Sequence, residues 1–394
     1  MIWAALVLAH LWPLILAVSW GWAAGLGDPG LYQSWMREAR ATGEWPLVHG
    51  AWVYPPGALV VMLPLLVMST PAGAGLAWIG VAFLLNVVVV RRLLVRPNGV
   101  PAAWWWVCFV LLCGAVAVTR LESIVAPMTV LALLARQARP LVGASLVSFA
   151  GWIKLAPFVW LVPMTLFTAR RASSVIAAFI AATAIVIVPF FLFGARGTHL
   201  LSFLSSQNAR GLQAESPWAL GLQVERVFGA GGDPVYDEHW GTVQFVGSRA
   251  DQLARSADVV LPLLVFTALA LIVRAAWVRR AADVPSADVF VAAGTVLTCA
   301  LVLANKVGSP QFSLWFAPGI ACLIVAGLDR VRVRRWAVIG LVMAAATQVE
   351  YPMRMNSLDA DPWGLAAVAI RYLCVTYFAL SAARMLLERP QVRS

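Results

Sequence analysis

Six ionisable residues stand where an ionisable residue is costly. Asp28, Arg120, Glu122, Lys154, Lys306 and Arg371 lie within apolar runs or at their edges. A charge at the centre of a bilayer costs ~2.5–3.5 kcal/mol on insertion scales, so each is a functional candidate by default. Asp28, in Gly27-Asp28-Pro29-Gly30-Leu31-Tyr32, could serve as a general base at a membrane surface, or could cap a helix that begins at Pro29. Arg120 and Glu122, in Thr119-Arg120-Leu121-Glu122, read either as a solvated hairpin turn or as a charge pair facing the same cavity as Asp28. Lys154 and Lys306 are the only lysines among 29 basic residues, and each sits at a junction between apolar runs. Such a lysine can hold a lipid phosphate, or it can simply snorkel to the interface. Arg371 can pair with another helix.

Other chemistries find little support. The five cysteines all lie inside apolar runs without CxxC spacing, and the four histidines are scattered. Neither a metal site nor a disulfide framework is indicated. Asp359-Ala360-Asp361 has the form of a metal-binding DxD, but it falls in a loop on the side where nucleotide sugars are absent, and three-residue matches arise by chance. No Walker A, GxSxG or HExxH sequence is present. We expect no cofactor and no metal.

The elements that must position these residues are membrane helices. Of 394 residues, 61% are apolar and 12% are charged, whereas soluble domains run near 45–50% and ~25%. So apolar a chain is neither a cytosolic enzyme nor disordered. About 20 apolar residues span a ~30 Å hydrocarbon layer at ~1.5 Å per residue. The first run, 2–24, is long for a signal peptide and lacks a basic start. A polar outer loop, 25–56, carries Asp28. Residues 57–70, between Pro56 and Pro71, are too few to cross and read as an interfacial helix. Further runs follow at 75–95, 103–118, 123–136, 140–169 (two crossings with a bend near Lys154 and Pro157), 174–193, 257–278, 287–304, 311–328, 336–349 and 363–385. The expected fold is all-α: a polytopic integral membrane protein of about 12 crossings, with both termini inside and a large outer loop at 194–256. No tandem repeat and no soluble domain is visible, so residues 1–394 read as one domain.

Charge orients the bundle. Arg91, Arg92, Arg96, Arg136, Arg139, Arg170, Arg171, Arg279, Arg280, Arg330, Arg332, Arg334, Arg335, Arg384, Arg389 and Arg393 fall at one set of run ends. This side collects 17 basic and 4 acidic residues, the other 12 basic and 14 acidic. The first is cytoplasmic by the positive-inside rule. The net charge of +11 therefore reads as helix anchoring in a lipid bilayer, not as nucleic-acid binding.

Several short stretches, in order, resemble a known family. Gly27-Asp28-Pro29-Gly30-Leu31-Tyr32, Gly43 and Val53-Tyr54-Pro55-Pro56-Gly57 resemble the first outer loop of GT-C glycosyltransferases, and in particular of family 87, the polyprenyl-phosphate-mannose-dependent mannosyltransferases of the PimE type. Arg120-Leu121-Glu122 is similar to that family's Arg-aromatic-Asp, with Glu122 in place of the more usual aspartate. Gly151-Trp152-Ile153-Lys154-Leu155-Ala156-Pro157 is similar to its Lys-x-x-Pro segment. Arg210-Gly211-Leu212-Gln213-Ala214-Glu215-Ser216 and Ser309-Pro310-Gln311-Phe312-Ser313-Leu314-Trp315 resemble its outer motifs. The resemblance implies an inverting transfer of a hexose, mannose above all, from a polyprenyl-phosphate donor to a glycolipid or lipoglycan acceptor at the outer face of the plasma membrane. It casts Asp28 as general base and Glu122 as second acid. Lys154, Lys306 and Arg210 would meet the departing phosphate, and Tyr32, Tyr54, Arg120, Gln213, Glu215 and Gln311 would line the site. A pentose (arabinofuranosyl) transferase of the same fold, or a non-enzymatic lipid or sugar transporter, are the alternatives. The absence of a repeat and the gathering of unusual charges at one edge weigh against a transporter.

Overall fold

The apolar runs become helices in a computed structural model, which describes residues 1–20, 22–167, 172–238, 241–279, 287–327, 329–354 and 360–388. Of residues 18–20, 22–26, 207 and 208 the backbone alone is described. Arg170, Arg171, Arg280, Asp359, Arg389 and Arg393, named above, lie outside the described residues. The chain is 79% helical, consistent with an all-α membrane protein. Four helices are long and apolar enough to cross a membrane: α4 (Pro71–Leu94), α10 (Ala172–Leu192), α14 (Ser248–Val278) and α18 (Pro362–Leu387). Around them stand α1 (Ile2–Trp20), α5 (Gly99–Cys113), α7 (Glu122–Ala135), α8 (Pro140–Ile153), α15 (Ala287–Leu303), α16 (Ala317–Ala326) and α17 (Arg330–Gln348). One continuous core joins them. It includes Trp106, Phe109, Trp160, Trp336 and Phe378 at 2% exposure or less.

The two ends of the bundle differ in chemistry. At one end arginines tie helix termini together. Arg96, beyond α4, donates to the carbonyl of Leu134 on α7 at 3.1 Å. Arg279, beyond α14, donates to the carbonyls of Met385 and Leu386 on α18 at 3.2 and 3.1 Å. Arg332 of α17 meets Glu388 at 3.2 Å. Such contacts satisfy carbonyls that a helix C-terminus leaves without donors.

The opposite end, which carries Asp28, departs from the sequence-based expectations in three ways. The segment 25–56 is not a loop throughout. A helix, α2 (Trp22–Thr42), runs through Asp28 and Pro29, so Asp28 does not cap a helix starting at Pro29. The Gly-Asp-Pro-Gly composition reads as a turn, but tertiary contacts override it. Gln33 donates to the carbonyls of Leu65 and Met68 at 3.3 and 2.7 Å, and Arg37 to those of Met68 and Ser69 at 2.8 and 2.7 Å. The expected helix at 57–70 is shorter: α3 (Pro56–Met62) tightens into a 3-10 turn at Leu63–Val67, where Pro64 supplies no N–H. The expected outer loop 194–256 contains regular structure among its described residues. It holds α11 (Gly197–Leu200), α12 (Ser202–Ala209), α13 (Leu220–Val227) and the first turns of α14. It also holds a small antiparallel sheet of β1 (Leu212–Gln213), β2 (Val235–Asp237) and β3 (Thr242–Phe245) in the order β1-β3-β2.

The bend expected near Lys154 is present. Helix α8 ends at Ile153, Lys154 is extended (φ −152°, ψ 128°), and a 3-10 turn, Ala156–Trp160, leads into α9 (Leu161–Leu166). Between α5 and α7 the chain breaks again around α6 (Ala115–Thr119), and Arg120 is extended (φ −97°, ψ 167°). Both breaks put a basic residue where the helix lets go.

Candidate active site

Those breaks converge. Arg120, at the break before α7, reaches α2 and pairs with Asp28 at 2.8 Å, with side-chain exposures of 16% and 23%. Its guanidinium also donates to Oε1 of Gln311 and lies 4.6 Å from the ring centre of Tyr351. Two residues on, Glu122 opens α7 fully buried. Its Oε1 pairs with the Lys154 ammonium at 3.2 Å and accepts from the indole N–H of Trp315 at 3.4 Å. Lys154 in turn lies 5.1 Å from the ring centre of Tyr54. These residues form two sets of contacts, Asp28–Arg120–Gln311 and Glu122–Lys154–Tyr54, drawn from five segments of sequence and tied together by the backbone between Arg120 and Glu122.

The local backbone explains the convergence. Pro55-Pro56 fixes the start of α3, and Gly57 lets that start lie directly on the break in α8. A Cβ on Gly57 would stand 2.8 Å from both the carbonyl carbon and oxygen of Trp152. Only glycine allows this approach, and it brings Tyr54 beside Lys154. Behind Tyr54 the rings of Tyr32, Trp35, Trp52 and Trp78 make a continuous aromatic cluster, with centroids 5.2–6.5 Å apart.

Electrostatics follow from burial and these neighbours. Burial opposes the Arg120 charge, but Asp28 outweighs it with help from Tyr351 and Tyr32, so its pKa rises. Burial raises the Tyr351 hydroxyl, and Arg120 pulls it partly back. Burial raises Tyr32 well above the usual tyrosine value, reinforced by Tyr54 and Asp28. Arg210, following α12, is lowered by burial and held back by Tyr54, which links it to the same neighbourhood.

Of the other expected site residues, Lys306 and Gln213 meet different partners, while the Glu215 carboxylate is close enough to Tyr351 to oppose ionisation of its hydroxyl. Lys306 pairs with Asp258 of α14 at 2.7 Å. Gln213 is buried and bridges backbone: its Oε1 accepts from Gly308 N–H at 3.0 Å. The backbone carbonyl of Glu215 accepts from Tyr372 at 2.7 Å. Asp361 of the DxD caps α18, accepting from the N–H groups of Trp363 and Gly364 at 3.2 and 2.9 Å. Among the described residues no three His, Cys, Asp or Glu side chains gather as a metal site would require. Reasoning from sequence missed Trp315, Tyr351 and Glu350. Glu350 was detectable as a carboxylate at the end of an apolar run, the complement of Arg371 deep in another.

A bundle of apolar helices whose breaks gather a carboxylate–arginine pair and a carboxylate–lysine pair at one end has the build of a polytopic membrane enzyme. The model of glycosyltransferase family 87 matches residues 52–304, well over half of the chain, and the chain belongs to that family. It is accordingly a membrane glycosyltransferase. The matched stretch includes Tyr54, Arg120, Glu122, Lys154, Arg210, Gln213 and Glu215; Asp28 and Tyr32 precede it, and Lys306 and Gln311 follow it. No curated protein matches the chain.

Proposed function

We propose that the protein transfers a hexose, mannose, from a polyprenyl-phosphate donor to a glycolipid or lipoglycan acceptor at the outer face of the plasma membrane. About twelve crossings with the Asp28 end outside fit the charge distribution. The observation that carries the reading is that one break in the chain, Arg120-Leu121-Glu122, holds two charge pairs, Arg120 with Asp28 and Glu122 with Lys154, the latter beside Tyr54. Asp28 is the general base: it takes the proton of the acceptor hydroxyl as that oxygen attacks the anomeric carbon, and the polyprenyl phosphate leaves from the opposite face with inversion. Arg120 orients the carboxylate. Glu122 holds Lys154, and Lys154 with Arg210 meets the negative charge that grows on the departing phosphate. Nucleotides stay in the cytosol, so an outward-facing site needs a lipid-borne sugar, and a monophosphate can be balanced by side-chain cations without a metal.

The test is transfer from radiolabelled polyprenyl-phosphate mannose, and separately from the arabinofuranosyl donor, into endogenous membrane acceptors, with the product identified. Label from the mannosyl donor alone, undiminished by a chelator, is the expected result. Transfer from the pentose donor alone would reassign the sugar, and complete loss with chelator would reinstate a metal.

A further inference from the structure

A second buried charge pair lies behind the Asp28 cluster. Arg371 of α18 and Glu350, in the Val349–Met353 turn after α17, are 1% and 4% exposed. They form an ion pair, Nε lying 2.7 Å from Oε2, with one hydrogen bond from Nη2 to Oε1 at 2.9 Å. The same guanidinium donates to three backbone carbonyls: Gly308 at 2.9 Å, Ser309 at 3.1 Å and Glu215 at 3.2 Å. Tyr372, stacked beneath it at 4.7 Å, donates its hydroxyl to Glu215 as well, at 2.7 Å. Gly308 admits the close approach of these segments, since a Cβ there would overlap the Glu215 carbonyl.

What makes this hub more than a brace is where its partners lead. Glu350 is followed by Tyr351, whose ring faces Arg120. Ser309 lies two residues before Gln311, which accepts from Arg120. Both groups that hold Arg120, other than Asp28 itself, therefore stand one or two residues from a group gripped by Arg371 or by its partner. A buried ion pair is a poor source of net stability, because desolvation offsets the attraction, and apolar replacements of similar size often do as well. Directional bonds to three carbonyls and a carboxylate, by contrast, are what a planar guanidinium supplies.

We infer that the Arg371–Glu350 pair is a positioning device: it fixes Gln311 and Tyr351, which hold Arg120 against Asp28, and so sets the placement of the general base. This rests on the reading of Asp28 as that base. Arg371 and Glu350 act through other residues and touch no substrate.

The experiment uses the full-length protein in membranes with radiolabelled polyprenyl-phosphate mannose. The variant Arg371→Met/Glu350→Leu removes both charges together and strands neither. The three carbonyls lose their donor, so its melting temperature should fall somewhat, yet it should accumulate and lose kcat by roughly 10–100-fold with donor KM within about twofold, the signature of misplacement. Adding Gln311→Leu should cost little more, because Gln311 is already released. A stable double variant with kcat within about twofold of the parent overturns the inference. If the double variant fails to accumulate, Tyr372→Phe decides: a fall in kcat of about two- to fivefold at unchanged KM supports the hub, and unchanged kcat overturns it. Asp28→Asn run alongside separates the two levels. Its full activity would remove the base reading itself, whereas its inactivity beside a fully active double variant would remove the hub alone.

Discussion

The two lysines of the chain look alike in sequence and are used differently. Each follows an apolar run and stands shortly before a proline, Pro157 or Pro310. Lys154 lies in an extended break, is 16% exposed, and faces both Glu122 and the Tyr54 ring. Those contacts join it through Glu122 to the segment that also carries Arg120, the partner of Asp28. Lys306 is 6% exposed and is taken up by Asp258 on α14, while its own carbonyl accepts from Gln213 N–H at 3.0 Å. One lysine joins Glu122 and Tyr54 at the break after α8; the other closes a seam between α14, β1 and the segment after α15. A charge near a helix end is thus not a site by itself. On the function proposed above, Lys154 belongs to the site through Glu122 and Tyr54, and Lys306, paired with Asp258, to the scaffold.

The comparison can be broken from the top. Asp28→Asn keeps size and polarity but removes the proton acceptor, so transfer should fall by ~10²–10⁴-fold while the protein still folds and inserts. Parental turnover in that variant would show that the cluster around Lys154 is not the reacting end. Next, Lys154→Met should weaken donor affinity by roughly 10–100-fold, the worth of a charge-assisted contact of ~1.5–3 kcal/mol. Donor binding that stays at the parental value would put the two lysines back on one footing. Smaller again, Gly57→Ala pushes a methyl into the Trp152 backbone, which has no flexible end to give way. A cost of about 1–3 kcal/mol in stability is expected, visible as a lower melting temperature together with a raised donor KM. An unchanged pair of values would mean that the α3–α8 contact does not position Lys154.

Much of this was legible in the sequence, for definite reasons. Runs of apolar residues located the helices because length against bilayer thickness is a strong constraint. Lys154 next to Pro157 announced a break because proline cannot continue a helix. Asp28, Arg120, Glu122, Lys154, Tyr54 and Gln311 were each picked out by being polar in apolar surroundings or by the family resemblance, and the structure brings them together. Their pairing was not legible. Nothing in the spacing of 28 and 120, or of 122 and 154, states that α2 and the two breaks meet, since that depends on Gly57, Gln33 and Arg37 docking distant segments. The helical state of 22–42 was hidden for the same reason: glycines and Pro29 argue for a turn, and only packing against Leu65 and Met68 overrides them. The small sheet was hidden by its two- to four-residue strands, too short for any alternation to register.

The smallest effect sharpens the contrast most. If Lys306 belongs to the scaffold, Lys306→Met should leave donor KM within about twofold and cost no more than ~1 kcal/mol, because Asp258, 41% exposed, can return to water when the ammonium is gone. The reciprocal change should be worse. Asp258→Asn leaves a lysine that is only 6% exposed without its carboxylate, and a buried charge deprived of its counterion costs more than an exposed one. The expected order is therefore a lower melting temperature for Asp258→Asn than for Lys306→Met, with donor KM near the parental value in both. A large rise in donor KM for Lys306→Met, unmatched by Asp258→Asn, would instead place the second lysine on the donor phosphate and erase the distinction between the two junctions.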